Sequence, residues 1–265
     1  IMRRMKQFIG LFLVSFLVVG CQGTPQLVKR SQMLMGTIVF VTAVGPDEST
    51  AQQAAKAGLD EIRRLEEMLS TWIPTSELSK VNAAAGQEPT QVSQETFEVL
   101  ERSLDVAELT NGGFNIAVGP AVNAWNAGGE GVIPHRADLE ALRPQIELSQ
   151  IQLNAKKRTV WLQRPGMQID VGGIGKGYAA DLAARVMQTS GATAGVVALS
   201  GDIKTFGRMP DEQRFVFGIQ HPRQEQGEIL GRIALENEAV STAGDYQRYF
   251  MKDGIRYHHI LDPAT

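Results

Sequence analysis

Residues 168–181 read Gln168-Ile169-Asp170-Val171-Gly172-Gly173-Ile174-Gly175-Lys176-Gly177-Tyr178-Ala179-Ala180-Asp181, and the fold turns on how that stretch is read. Ile169 and Val171 predict the end of a buried strand. The glycines predict a turn whose main chain can approach a ligand closely, and Tyr178 onward predicts a helix. A strand, a glycine-rich turn and a helix N-terminus together favour bound phosphate, because unpaired N–H groups and the helix dipole both attract negative charge. The dinucleotide fingerprint is not met, since the sixth position counted from Gly173 is Tyr178 rather than glycine. The Walker pattern fails too, because Gly175-Lys176 is followed by Gly177 where Ser or Thr is required. The same residues would also serve a plain strand-to-helix turn.

Toward the C-terminus, a helix is expected from Tyr178 to Thr189, stopped by Ser190-Gly191. Strands are expected at Gly195–Leu199, Phe215–Gln220, Ile229–Leu235, Tyr246–Met251 and Ile255–Leu261. Toward the N-terminus, Ile151–Leu153 and Thr159–Leu162 read as a hairpin, Pro134–Leu142 as a short helix, and Gly113 to Trp125 as a loop with an apolar lining. Amphipathic helices are expected at Ser49–Leu69, with Ser49 as cap, and at Ser93–Thr110, with a short one capped by Ser76 and ending near Asn82. Met33–Val44 reads as one strand interrupted by Gly36. Helices early and antiparallel-looking strands late predict an α+β fold rather than a doubly wound one.

The chain has 265 residues, a net charge of −3 and 43% hydrophobic residues, enough to bury a full core in one large domain. That charge lacks the basic footprint duplex nucleic acid would require. Arg3, Arg4 and Lys6 precede an apolar run from Phe8 to Val19, too short to span a bilayer comfortably but suited to a signal peptide over residues 1–20. The run ends in Val18-Val19-Gly20-Cys21, similar to the lipobox of bacterial lipoproteins, in which the cysteine is acylated. A cleaved signal with an incidental cysteine is the other reading. Cys21 is the sole cysteine, so no internal disulfide forms. A lipid there would tether the protein to a membrane through a polar leash over residues 21–32, leaving 33–265 as the folded domain.

Seven stretches, in order, resemble the ApbE-like FAD:protein FMN transferases. They are Met35-Gly36-Thr37; Ser70-Thr71-Trp72 with Glu77 to Asn82; Val118-Gly119-Pro120 with Asn123 and Trp125; Asp170 to Asp181; Gly201-Asp202; Ser241 to Tyr246; and His259-Ile260-Leu261-Asp262-Pro263. The resemblance implies a single, T-fold-related catalytic domain. It implies an exported enzyme, anchored in the bacterial cell envelope and facing the periplasm, that cleaves the FAD pyrophosphate with Mg²⁺. FMN would be joined to a Ser or Thr of a membrane-associated acceptor protein, with AMP released. By position, Met35, Trp72, Gly113, Phe114, Asn115, Asp170, Lys176 and the backbone near Leu261 would hold the nucleotide, and the Gly173 carbonyl would be a metal ligand. His259 would be the catalytic base, with an imidazole suited to proton transfer near neutrality. Trp72 also reads as a surface aromatic, and His258-His259 as two histidines on a partly exposed strand.

The sequence departs from the family pattern in several places. Asn115 stands for a commonly acidic residue, Ser200 for a glycine and Ala243 for a serine. The family's Asp and Thr metal ligands would lie past Thr265, so residues 21–265 alone are expected not to transfer FMN. Ser190-Gly191-Ala192-Thr193 resembles the acceptor sequence the family modifies, which makes Thr193 a candidate for self-modification. Two other functions remain open: a Mg²⁺-dependent FAD pyrophosphatase, with water in place of the hydroxyl, and a non-catalytic FAD-binding lipoprotein.

Overall fold

The folded part begins on a hairpin. A computed structural model describes residues 24–126, 129–225, 227–246 and 248–265. In it β1 (Gln26–Leu34) pairs antiparallel with β2 (Thr37–Gly45), from Gln26 opposite Gly45 to Leu34 opposite Thr37. The single strand expected over 33–44 is therefore two, joined by Met35-Gly36. The leash expected over 21–32 is strand from Gln26 onward, because β1 delivers Val28 and Leu34 to the core. The expected signal peptide and Cys21 lie outside the described residues.

In chain order there follow α1 (Glu48–Leu69), α2 (Glu77–Ala83), β3 (Thr90–Gln91), α3 (Gln94–Leu109), α4 (Gly119–Trp125), α5 (Arg136–Leu142), β4 (Ile151–Asn154), β5 (Thr159–Leu162) and α6 (Gly175–Thr189). Then come β6 (Ala194–Leu199), β7 (Asp202–Phe206), β8 (Phe215–Gln220), β9 (Ile229–Leu235), β10 (Ala239–Ser241), β11 (Tyr249–Lys252) and β12 (Ile255–His258). The helix starts follow their caps: Ser76 and Ser93 hydroxyls accept the N–H of Ser79 and Thr96, at 3.0 and 3.2 Å. The α1 cap is Asp47 rather than Ser49, its Oδ1 accepting the Thr50 N–H at 2.8 Å.

The main sheet is antiparallel in the order β1-β2-β6-β7-β10, which agrees with the expected α+β class. One face is covered by α1, through Ala54, Ala55, Ile62 and Leu65, and by α6, through Ala179, Ala180, Ala183 and Ala184. The small residues of α6 let it lie close to both α1 and the sheet. The other face carries a smaller cluster in which Phe215 of the β8–β9 hairpin packs on Val44, Ala194 and Val196. A second sheet runs β3-β5-β4, and β11–β12 forms a separate hairpin.

Three local expectations differ from the structure. No strand forms at Ile169–Val171, the loop over 113–125 contains a 3-10 turn and α4, and the last hairpin is shorter at both ends than expected. Among the described residues no helix is long and apolar enough to cross a membrane.

Candidate functional site

Ile169 and Val171 are buried, at 1% and 4% exposed, as a strand would bury them, yet they pair with no strand. Asn82 of α2 takes the strand's place. Its Oδ1 accepts the Ile169 N–H at 2.7 Å and its Nδ2 donates to the Ile169 carbonyl at 3.0 Å. A primary amide offers the same donor and acceptor as a peptide group, so one side chain satisfies both buried main-chain groups. The next N–H, of Asp170, donates to the Ile116 carbonyl at 2.8 Å.

The turn itself is held by short local bonds. The Asp170 Oδ1 accepts the Gly172 N–H at 2.6 Å, and the N–H groups of Ile174 and Gly175 donate to the Val171 carbonyl at 3.0 and 2.7 Å. These bonds start α6 at Gly175, three residues earlier than Tyr178, so Lys176 stands in the first turn. Its Nζ folds back to donate to the Gly172 carbonyl at 2.7 Å. A Cβ on Gly173 would stand 3.0 Å from the Phe114 ring, so glycine is what lets the turn lie against that half-buried aromatic. Tyr178 anchors α6 from behind. Its hydroxyl donates to Glu98 at 3.2 Å, and burial, reinforced by the Glu98 charge, pushes it up to about 12.

The remaining candidates surround this turn unevenly. Met35 has φ +51 and Gly36 φ +67, the signature of a two-residue hairpin turn with both central residues left-handed. A methionine pays a steric penalty in that region. It is held there by the Glu66 carboxylate, which accepts its N–H at 2.6 Å. Gly113 closes the end of α3 by donating to the Thr110 carbonyl at 3.1 Å. Asn115 caps the following turn by accepting the Ala117 N–H at 2.7 Å and donates to the Ile146 carbonyl at 2.8 Å, so both ends of its amide are engaged within the fold. Trp72 is 90% exposed on its loop.

His259 follows β12 directly. The Arg248 carbonyl stands 3.2 Å from both its N–H and its ring Nδ1. A carbonyl only accepts, so that contact fixes Nδ1 as the protonated nitrogen and leaves Nε2 to take a proton. Burial of the ring holds its pKa below the usual 6.5. The charges of Arg248, His258 and Lys176 push the same way, against the opposing Arg248 carbonyl. His258, the last residue of β12, accepts the Ile260 N–H on its Nδ1 at 3.3 Å. It lines a cavity of about 340 Å³ with Trp125, Leu142, Arg143, Tyr257 and Leu261. Trp125 stacks on Tyr257 at 5.9 Å and Tyr257 on Phe250 at 5.2 Å.

Lys176, Asp170, Gly173 and Phe114 are brought together at the turn, His259 is held by Arg248, and Leu261 faces the cavity beside His258. Glu66 and Arg248, which hold the site's backbone, carried no functional reading in the sequence, and Asn82 entered only as the end of a family-like stretch with no role of its own. Thr193 lies beyond the far end of α6, which at 15 residues is about 22 Å long. That separation does not favour its reaching Lys176 within one molecule.

Among the described residues no group of three His, Cys, Asp or Glu side chains stands at metal-binding spacing. The oxygens at the turn fit instead an ion that keeps water and phosphate as ligands. They are the exposed Gly173 main chain and the Asp170 carboxylate, while the Gly172 carbonyl is occupied by Lys176.

The model of the ApbE family matches residues 35–265. A Klebsiella pneumoniae FAD:protein FMN transferase is 30% identical over 236 residues, which span 89% of this chain and 72% of the relative. A Vibrio cholerae FAD:protein FMN transferase is 31% identical, over 94% of this chain and 75% of the relative. Among solved structures, the ApbE protein of Thermotoga maritima superposes with a TM-score of 0.83 at 30% identity, over 91% of this chain and 77% of that one. The flavin transferase ApbE of Vibrio cholerae gives 0.79 at 28%, with the same shares of each chain.

Proposed function

This chain belongs to the ApbE family, and on that premise we propose how its residues divide the work of the reaction. The protein is an FAD:protein FMN transferase, an enzyme that moves FMN from FAD to an acceptor protein. The acceptor supplies a Ser or Thr hydroxyl. His259 Nε2 takes the hydroxyl proton as the oxygen attacks the phosphorus of the FMN half. The pyrophosphate P–O bond breaks, and AMP leaves with the bond's electron pair.

Lys176, in the first turn of α6, stabilises negative charge developing on the phosphates, aided by the helix N-terminus. The hydroxyl is oriented in line by the walls of the site, which carries much of the rate in phosphoryl transfer. Mg²⁺, held by the Gly173 carbonyl and the Asp170 carboxylate, would supply further charge neutralisation when bound. Met35, Trp72 and Phe114 supply apolar surface for the flavin.

The observation that carries this reading is the glycine turn that opens α6, where the Asp170 carboxylate accepts the Gly172 N–H at 2.6 Å and the Lys176 Nζ donates to the Gly172 carbonyl at 2.7 Å. His259→Ala is expected to keep FAD binding and to lose FMN transfer by about 10²–10⁴-fold. Transfer within threefold of the wild type would remove His259 from the role. We also read the chain as an exported lipoprotein, acylated on Cys21, facing the periplasm and acting on membrane-associated acceptors. The support is the apolar run ending at Val18-Val19-Gly20-Cys21. Fatty-acid labelling in cells should disappear in Cys21→Ser, and label retained in that variant contradicts the anchor.

A further inference from the structure

We propose that Arg248 is a positioning residue for the reaction, coupling the His259 imidazole to the Met35-Gly36 turn; this rests on His259 acting as the base. Arg248 touches both. Its carbonyl receives the His259 N–H and faces Nδ1, each at 3.2 Å, while its guanidinium Nη2 reaches the Gly36 carbonyl at 3.5 Å. The first contact continues the β11–β12 hairpin by one rung, since Tyr249 already pairs with His258. The second crosses to the other end of the chain, to a turn held in a left-handed conformation that its methionine does not favour.

Met35 is pinned by Glu66 through its N–H, but the tip of the hairpin beyond it is exposed. His259 has left the strand and depends on the Arg248 carbonyl for its orientation. A guanidinium reaching from the base-bearing loop to the flavin-side turn makes the two move as a unit. Nucleotide seated against Met35 would then set the ring that must accept the hydroxyl proton. An arginine suits this task because its planar fork stays charged at every working pH and loses little freedom on bonding.

The charge has a second effect. The Arg248 carbonyl stands 3.2 Å from the His259 Nδ1, and the charges of Arg248, His258 and Lys176 all disfavour protonation of the ring. Removing one fixed positive charge makes protonation of the ring easier. The acid limb of the transfer rate therefore moves to higher pH.

The test uses the full chain with FAD, Mg²⁺ and an acceptor protein, comparing wild type, Arg248→Ala and Arg248→Lys. Arg248→Ala keeps the main-chain carbonyl on His259 but deletes the guanidinium link to Gly36, so kcat should fall about tenfold through the lost coupling of the two loops. Its acid limb should move up by about half a pH unit, which is about a threefold loss at pH 6. Arg248→Lys, which keeps the charge but not the fork, should restore the wild-type acid limb and only part of kcat. An acid limb and kcat for Arg248→Ala within twofold of wild type overturn the proposal. So does a lysine variant whose acid limb follows alanine rather than wild type. If Arg248→Ala does not fold, the lysine variant decides alone: kcat equal to wild type removes the positioning role. A wild type that transfers no FMN defeats the proposed function instead, whatever the variants do.

Discussion

Replacing Asn82 with alanine should destabilise the protein far more than a half-exposed polar side chain ordinarily would. The amide holds both main-chain groups of Ile169, a residue 1% exposed, at 2.7 and 3.0 Å. Alanine leaves a buried N–H and a buried C=O without partners, each at a cost of about 1–3 kcal/mol, so the variant should lose about 2–6 kcal/mol. Asn82→Asp should be no better, because its carboxylate keeps an acceptor for the N–H but sets a second oxygen against the Ile169 carbonyl. Asn123→Ala is the control. Its Nδ2 donates to Gln168 two residues upstream of Asp170, but on the exposed side, and its loss should cost less than about 0.5 kcal/mol. Urea unfolding with an unchanged m-value measures the difference. The effect should extend to FAD, since Asp170 and Lys176 hang from the clamped segment. Each 1.4 kcal/mol of lost positioning weakens binding about tenfold. An Asn82→Ala variant within about 1 kcal/mol of wild type, or level with Asn123→Ala, refutes the idea that this amide stands in for a strand.

Two further outcomes follow from the same geometry. Met35→Asn should raise the urea midpoint by the equivalent of about 0.5–1 kcal/mol, because asparagine tolerates the left-handed turn position, while weakening FAD binding through loss of apolar contact; a lowered midpoint contradicts the turn geometry. His259 is the pH-sensitive group. Its folded pKa lies below 6.5, so the unfolded chain binds more protons near pH 6, and stability should fall as pH drops through about 6.5 and level off below the folded value. His259→Gln should flatten that part of the stability curve, and an unchanged slope contradicts the shift.

The helices were legible because their signals are local. Ser76 and Ser93 announce their own helix starts, and the spacing of Ala55, Leu59, Ile62 and Leu65 announces the buried face of α1. The glycine turn was legible as chemistry but not as structure, because the partner of Ile169 is a side chain 87 residues away and no periodicity records it. β7 and β10 escaped for a related reason: Asp202 to Phe206 mixes charge with apolar residues and Ala239–Ser241 is three residues long, so only pairing within the sheet defines them. The hairpin at the start was hidden because Met-Gly is not a favoured turn pair; Glu66, from the neighbouring helix, supplies the bond that holds it. His259 was named from the family resemblance, whereas its orientation by Arg248 depends on a loop the sequence pattern does not order.

The site should move FMN onto a protein hydroxyl rather than onto water. This is tested most directly by incubating the full-length protein with FAD, Mg²⁺ and an acceptor protein carrying the Ser/Thr-Gly-Ala-Thr sequence, then weighing the acceptor and counting the AMP. A covalent FMN adduct on the acceptor is expected in one-to-one ratio with AMP released, absent with His259→Ala. Free FMN appearing with the AMP while the acceptor keeps its mass would contradict it.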